Sequence, residues 1–214
     1  CQDTGLAVVF LEIGQDVALS GKYVEDAVND GVRQAYENFR KSSVHPLSRK
    51  NSGDNTPAII HTRIVKGDKV KVSCMMKGFG SENMSRLFML TPADGVEGVV
   101  EKVVETVKDA GSCPCPPVIL GVGVGGTMEK AAIMSKHALL NDLDKENPDE
   151  YLSSLEKKML EKINALGIGA EGFRGDVTAL RVFIETENTH IAGLPVAVTV
   201  QCHCSRHGER IIEG

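Results

Sequence analysis

The sequence predicts a mixed α/β (α+β) protein with helices packed on mixed sheets. Short β-branched runs alternate with longer stretches of helical periodicity, so strands and helices are intermixed along the chain. Two of those runs, Ala58 to Val65 and Val70 to Met76, flank Lys66-Gly67-Asp68 and read as a hairpin, which argues against a purely parallel doubly wound sheet. The 214 residues are 42% hydrophobic and 25% charged, enough apolar material for a full core in one large domain or two small lobes.

Taken in order, Leu6 to Ile13 is an apolar, β-branched run and predicts a buried strand. Tyr23 to Phe39 places Val24, Ala27 or Val28, Val32, Ala35 or Tyr36, and Phe39 on one helical face, with Glu25, Asp26 and Glu37 on the wet side. Arg40 to Pro57 is polar and predicts a long loop, either functional or a solvated linker. Lys77 to Asn83 reads as a Gly-rich loop and Leu87 to Leu90 as a short apolar piece. Val96 to Ala110 is helical, with Gly111 where a C′ residue belongs. Val118 to Gly121 predicts a strand, Gly121 to Gly126 a turn, and Thr127 to Leu140 a helix. Asn147-Pro148-Asp149-Glu150 is a helix start with Asn147 as N-cap, and its helix turns Leu152, Leu155, Met159, Ile163 and Leu166 inward. Gly167 to Gly175 is a connection, and Leu180 to Thr186 a strand. From Thr189 the chain runs through Gly193 and Pro195 into a β-branched strand that ends on Cys202-His203-Cys204-Ser205-Arg206-His207.

Several function classes fall away on composition. Net charge is −5, there is no Trp, and no basic stripe occurs, so nucleic acid is not the expected ligand. No run approaches the ~20 apolar residues of a membrane span. The chain opens on Cys-Gln-Asp-Thr-Gly without an initiator Met and reads as a fragment. The six cysteines include two C-x-C pairs, awkward for disulfides, and favour a reducing, cytoplasmic setting with metal-binding or reactive thiols.

Gly121-Val122-Gly123-Val124-Gly125-Gly126 matches G-x-G-x-x-G between a predicted strand and helix. Asp142 and Asp144, the acidic residues at the right distance, have no apolar strand before them, so the second half of a dinucleotide unit is missing. A backbone-amide nest for an anion is the better reading. The cysteines form three clusters about 110 and 90 residues apart, at Cys1, at Cys113 and Cys115, and at Cys202 and Cys204. No C-x₂₋₄-C pair of a structural zinc site is present. Thiolates presented from three distant loops suit an iron–sulfur cluster better.

Four stretches together carry a resemblance. Cys1-Gln2-Asp3-Thr4-Gly5, Lys77-Gly78-Phe79-Gly80-Ser81-Glu82-Asn83, Cys115-Pro116-Pro117 leading into Gly121 to Thr127, and His190-Ile191-Ala192-Gly193-Leu194-Pro195 running to Gln201-Cys202-His203 resemble the class I, iron–sulfur fumarate hydratases. More narrowly, the chain is similar to their α subunit or N-terminal domain. The resemblance implies a [4Fe-4S] cluster held by Cys1, Cys115 and Cys202, with Cys113 and Cys204 incidental or lying just outside the ligand set. It implies that Asp3 helps with proton transfer and that Gln2, Asp3, Arg40, Gly80 and His190 contact the substrate. Without it, Asp3 reads as a turn residue, Arg40 as a solvated charge and His190 as structural. Lys77 balances site charge or is solvated; His203, Arg206 and His207 read equally as surface residues or as neighbours of the site. Cys74 reads as apolar filler in a strand.

The reading is that residues 1–214 form the cluster-binding domain of a hydro-lyase, in two lobes with the cluster between them. The substrate is a small dicarboxylate: fumarate hydrated to L-malate, with L-tartrate or mesaconate as alternatives. The resemblance further implies a β subunit or C-terminal domain as partner, in a heterotetramer or a dimer of fused chains. A non-catalytic metal or redox module is the alternative from another class.

Overall fold

The structure, a computed structural model, describes residues 3–203 and 205–213. In chain order its elements are β1 (Leu6–Gly14), α1 (Val24–Ala35), β2 (Ile59–Val65), β3 (Lys69–Lys77), the single helical turn α2 (Phe79–Glu82), β4 (Arg86–Leu90), α3 (Gly95–Ala110), β5 (Val118–Gly125), α4 (Met128–His137), α5 (Glu150–Asn164), β6 (Ala179–Glu187), β7 (Leu194–Gln201) and β8 (His207–Glu213). They form two compact units, Cys1–Phe79 with Arg206–Gly214, and Gly80–Ser205, each built on one mixed four-stranded sheet. The mixed α/β class is therefore as the sequence predicts. Among the described residues no helix is long and apolar enough to cross a membrane.

The sheet of the first unit has the order β2-β1-β3-β8. β1 is its centre: Ala7 to Leu11 and Ile13 are all buried, which is why the run is apolar without alternation. One face of β1, Ala7, Val9, Leu11 and Ile13, packs with Val32 and Tyr36 of the α1 segment and with Ala58. Cys74 of β3 joins this cluster as partly buried filler.

The predicted hairpin is overturned. β2 is parallel to β1 and β3 is antiparallel to it, so β1 lies between the two strands expected to pair. The turn at Gly67 crosses the end of β1, where Gln15 N–H donates to Val65 O (2.7 Å) and Asp16 N–H to Gly67 O (3.0 Å). Gly14 makes the crossing possible, since a Cβ there would stand 2.3 Å from Gly67 O. A turn sequence between two strand runs fixes a reversal of direction but not adjacency. β8, unforeseen, pairs antiparallel with β3.

The second unit stacks helices on both faces of a sheet ordered β4-β7-β5-β6. Val99, Val100, Val103 and Val107 of α3 and Met159 and Ile163 of α5 bury one face, formed by residues such as Leu120, Val122, Val182, Val198 and Val200. α4 covers the other. Here the Gly-rich segment takes a different role from the nest expected of it: β5 continues as strand through Val124 to Gly125. A Cβ at Gly121 would lie 1.9 Å from Ser135 O, and one at Gly123 2.1 Å from Ala131 O. These glycines let the backbone of α4 rest directly on β5, with Ser135 Oγ and Thr199 Oγ1 hydrogen-bonded at 2.7 Å beneath it.

The start of α5 is also displaced. Asp149, not Asn147, is the N-cap, accepting from Tyr151 and Leu152 N–H. Asn147 is engaged elsewhere: its Nδ2 donates to Glu156 Oε1 (2.9 Å) and Ile184 O (3.2 Å). α1 is shorter than predicted, ending at Ala35, and the apolar spacing beyond it belongs to a turn that carries the buried Tyr36. The Lys77–Asn83 stretch is likewise not all loop, since Lys77 closes β3 and α2 follows.

Candidate active site

In the first unit the chain immediately before β1 is fixed from several sides. Asp3 Oδ1 accepts from Gly5 N–H (2.8 Å) and Oδ2 from Phe79 N–H (2.5 Å). Asp3 O accepts from Arg206 Nη2 at 2.8 Å. Thr4 O accepts from the Tyr36 hydroxyl at 2.9 Å, and Thr4 Oγ1 donates to Arg40 O at 3.1 Å. Burial is the main reason the Tyr36 hydroxyl is pushed up to about 12, with the nearby Arg206 charge working against it. Asp3 and Arg40, far apart in sequence, are thus brought to one patch, and the Arg40 residue is exposed.

The long polar loop is ordered around Asn55, which is fully buried. Its Oδ1 accepts from the Ser42 and Ser43 N–H groups and its Nδ2 donates to Arg40 O (2.8 Å). Arg40 is therefore presented by a braced backbone, not by a free linker. Lys77 is not solvated: it is 1% exposed, and its Nζ donates to Gly78 O at 2.9 Å. Gln2 and Cys1 lie outside the described residues, as does Cys204.

In the second unit two thiols share one end of the sheet. Ile119 pairs with Gln201 across the antiparallel β5–β7 pair, so Cys115, just before β5, and Cys202, just after β7, fall at the same end. Cys115 has φ of 55°, a left-handed conformation costing a β-carbon-bearing residue about 1 kcal/mol, of the sort that gathers at functional sites. Cys74, Cys113, Cys115 and Cys202 are all free thiols. The Gly167–Gly175 connection folds against this loop, with Glu171 N–H donating to Pro116 O at 2.7 Å. Local desolvation, then the Glu171 carboxylate, then Cys202 push the Cys115 thiol above its ordinary range. Cys115 itself is exposed and Cys202 partly buried, so both thiols stand at an accessible end of the sheet. Gln201, 3% exposed and next to Cys202, has a buried Oε1 with no hydrogen-bond partner among the described residues. Gly80 joins this end, since a Cβ on it would approach Cys113 O at 3.8 Å.

His190 is elsewhere. It precedes β7 whereas Cys202 follows it, and the eight residues of β7 span about 26 Å. His190 instead lines an apolar groove of about 420 Å³ with Tyr151, Leu152, Leu155, Ile184 and Ile191. Its Nδ1 accepts from Ala192 N–H at 3.2 Å. Among the described residues, no three His, Cys, Asp or Glu side chains are gathered so as to hold a metal ion; two of the three expected ligands, Cys115 and Cys202, are the most that come together.

Glu171 and Gln201 are site neighbours that the residue patterns did not single out as functional, while Arg206, left open between surface and site, lies upon Asp3. Nothing in Gly-Ala-Glu-Gly marks Glu171, whose position depends on a loop returning from α5.

Comparison with known proteins adds to this geometry. The family model described as fumarate hydratase (fumerase) matches residues 1–211. A Methanocaldococcus jannaschii protein with the provisional name L(+)-tartrate dehydratase subunit alpha is 44% identical over 222 residues, covering 100% of this chain and 78% of its own. The L(+)-tartrate dehydratase subunit alpha of Escherichia coli strain K12 is 31% identical over 219 residues, covering 99% of this chain and 72% of its own. That of Escherichia coli strain UTI89 is 32% identical over 215 residues, with 97% and 70% covered.

Proposed function

Since the chain belongs to the fumarate hydratase family, a family of hydro-lyases, we propose that it is the cluster-bearing α chain of an enzyme that adds or removes water at a four-carbon dicarboxylate. The observation that carries this reading is the pair of thiols at one end of the second sheet, Cys115 in a strained turn and Cys202 at a strand end. With Cys1 as third ligand they would hold a [4Fe-4S] cluster. An iron without a fourth protein ligand supplies Lewis acidity toward a hydroxyl or carboxylate oxygen.

The chain's own residues have separate tasks. Asp3 takes part in moving the proton at the carbon next to the one that bears the hydroxyl, its carboxylate kept in one orientation by two backbone N–H groups. Arg40 binds a substrate carboxylate, a task suited to its planar fork. Gln2 contacts the substrate, and Gly80, without a side chain, admits it to the backbone. His190, at the far end of β7 from Cys202 and lining an apolar groove, is a substrate contact by the resemblance alone, and the geometry of this chain lends it no support. A β subunit completes the pocket, in keeping with the α-subunit names of the relatives.

The family description supports the fumarate–malate pair, and the relatives' names support L-tartrate equally well. L-Tartrate is malate with one further hydroxyl, so the elimination is the same. Loaded anaerobically with iron and sulfide and joined to its β partner, the enzyme is expected to convert fumarate or L-tartrate, with mesaconate as third candidate. Turnover of none of the three at full cluster content would overturn the proposal.

A further inference from the structure

Arg206 is placed unlike a surface arginine. Its backbone carbonyl accepts from Met76 N–H at 2.9 Å, which seats it against β3, while its guanidinium reaches back to the start of the chain. There Nη2 donates to Asp3 O at 2.8 Å. Nη1 is buried and has no hydrogen-bond partner among the described residues. Leaving a charged donor unsatisfied inside a protein is costly, so such a position calls for a compensating role. The bond from Nη2 supplies one: among the described residues it is the contact that holds the main chain of Asp3 itself, whereas Tyr36 and Arg40 hold Thr4.

We propose that Arg206 is the positioning residue of Asp3, fixing its main chain so that the carboxylate keeps both bonds, from Gly5 N–H and Phe79 N–H. This rests on the reading of Asp3 as the carboxylate that serves proton transfer. Without the anchor, the residue pivots at Thr4, and a carboxylate displaced by about 1 Å loses on the order of 100-fold in rate. Substrate binding is spared, because Arg206 need not touch the substrate for this role.

The test uses Arg206→Met and Arg206→Lys in the loaded enzyme with its β partner, and hydrogen exchange on the same proteins. In Arg206→Met, kcat is expected to fall between ~10- and ~100-fold with KM within ~3-fold. The Gly5 and Phe79 amides are expected to exchange faster, while Met76, bonded to the main chain of Arg206, stays protected. Arg206→Lys, which can still donate to Asp3 O, is expected to recover most of both. Unchanged exchange at Gly5 and Phe79 in Arg206→Met would overturn the proposal, as would a rise in KM with kcat preserved. Should Arg206→Met fail to fold, Arg206→Gln, polar but too short to donate to Asp3 O as Arg206 does, is held to the same two readouts with the same expected and overturning results. If the unaltered enzyme converts none of the three substrates, the proposed function falls, while the exchange pattern still decides whether Arg206 anchors Asp3.

Discussion

Replacing Gly121 or Gly123 by Ala tests whether the Gly-rich segment is a packing device or a ligand loop. At Gly121 the new Cβ would meet Ser135 O at 1.9 Å, and at Gly123 Ala131 O at 2.1 Å, where ordinary contact begins near 3.4 Å. The obstacle is helix backbone, so no side chain can rotate away; α4 must withdraw by about 1.5 Å. That shift stretches the buried Ser135–Thr199 hydrogen bond well beyond its 2.7 Å. Overpacking costs about 1–3 kcal/mol and the lost hydrogen bond about 1 kcal/mol. Each variant should therefore lose about 3 kcal/mol, a large part of a typical 5–15 kcal/mol stability. Urea unfolding followed by far-ultraviolet circular dichroism suits a chain without Trp. Gly31→Ala is the control: it sits in α1 with nothing within 4 Å of the new Cβ, and should stabilise by up to about 1 kcal/mol. If Gly121→Ala and Gly123→Ala both stay within about 0.5 kcal/mol of the parent, the packing argument is wrong.

Three further perturbations follow from the geometry. Tyr36→Phe removes the bond to Thr4 O and should cost about 1 kcal/mol. In the parent, phenolate absorbance should show Tyr36 still neutral above pH 10: its raised pKa adds stability that is whole below the unfolded value near 10 and lost as pH climbs toward 12. Glu156, 3% exposed, braces Asn147 and the Ile184 amide through Oε1, while Oε2 has no partner among the described residues. Glu156→Gln should thus be near neutral in a thermal melt, whereas Glu156→Ala should cost about 2–3 kcal/mol. Asp54 is held down to about 2 by hydrogen bonds from the Thr56 hydroxyl and N–H and from Arg33. The stability it gives is present above pH 3.8 and lost as pH falls through 2, so Asp54→Asn should flatten the acid limb of a pH–stability curve, by an amount that solvent screening keeps small.

Periodicity located nearly every long element because burial imposes it: α3 and α5 read correctly from their Val, Leu, Met and Ile spacing, and β1 from its unbroken apolar run. What periodicity does not encode is which strand lies beside which. Lys66-Gly67-Asp68 read as a hairpin turn, yet Gly14 lets that turn pass over β1. Likewise G-x-G-x-x-G occurs wherever close backbone approach is needed, and here the thing approaching is α4. The candidate site was legible only as far as strand ends carry residues, as with Cys115 and Cys202 at one end of the second sheet. It was not legible where it depends on the fold returning upon itself, as with Glu171 beside Cys115 and Arg206 upon Asp3. His190 shows a third case, since twelve positions in sequence before Cys202 become the length of a whole strand.

Everything proposed for the chemistry of this chain depends on Cys115 and Cys202 holding an iron–sulfur cluster that serves a dicarboxylate. The most direct measurement is anaerobic reconstitution with iron and sulfide, followed by visible absorption and EPR with and without malate or L-tartrate. The expected result is a cluster signal that one of these substrates perturbs, lost in Cys115→Ser and Cys202→Ser and retained in Cys74→Ser, whose sulfur packs in the core of the first unit. A colourless protein that binds stoichiometric zinc, or a cluster that survives loss of both Cys115 and Cys202, would contradict it.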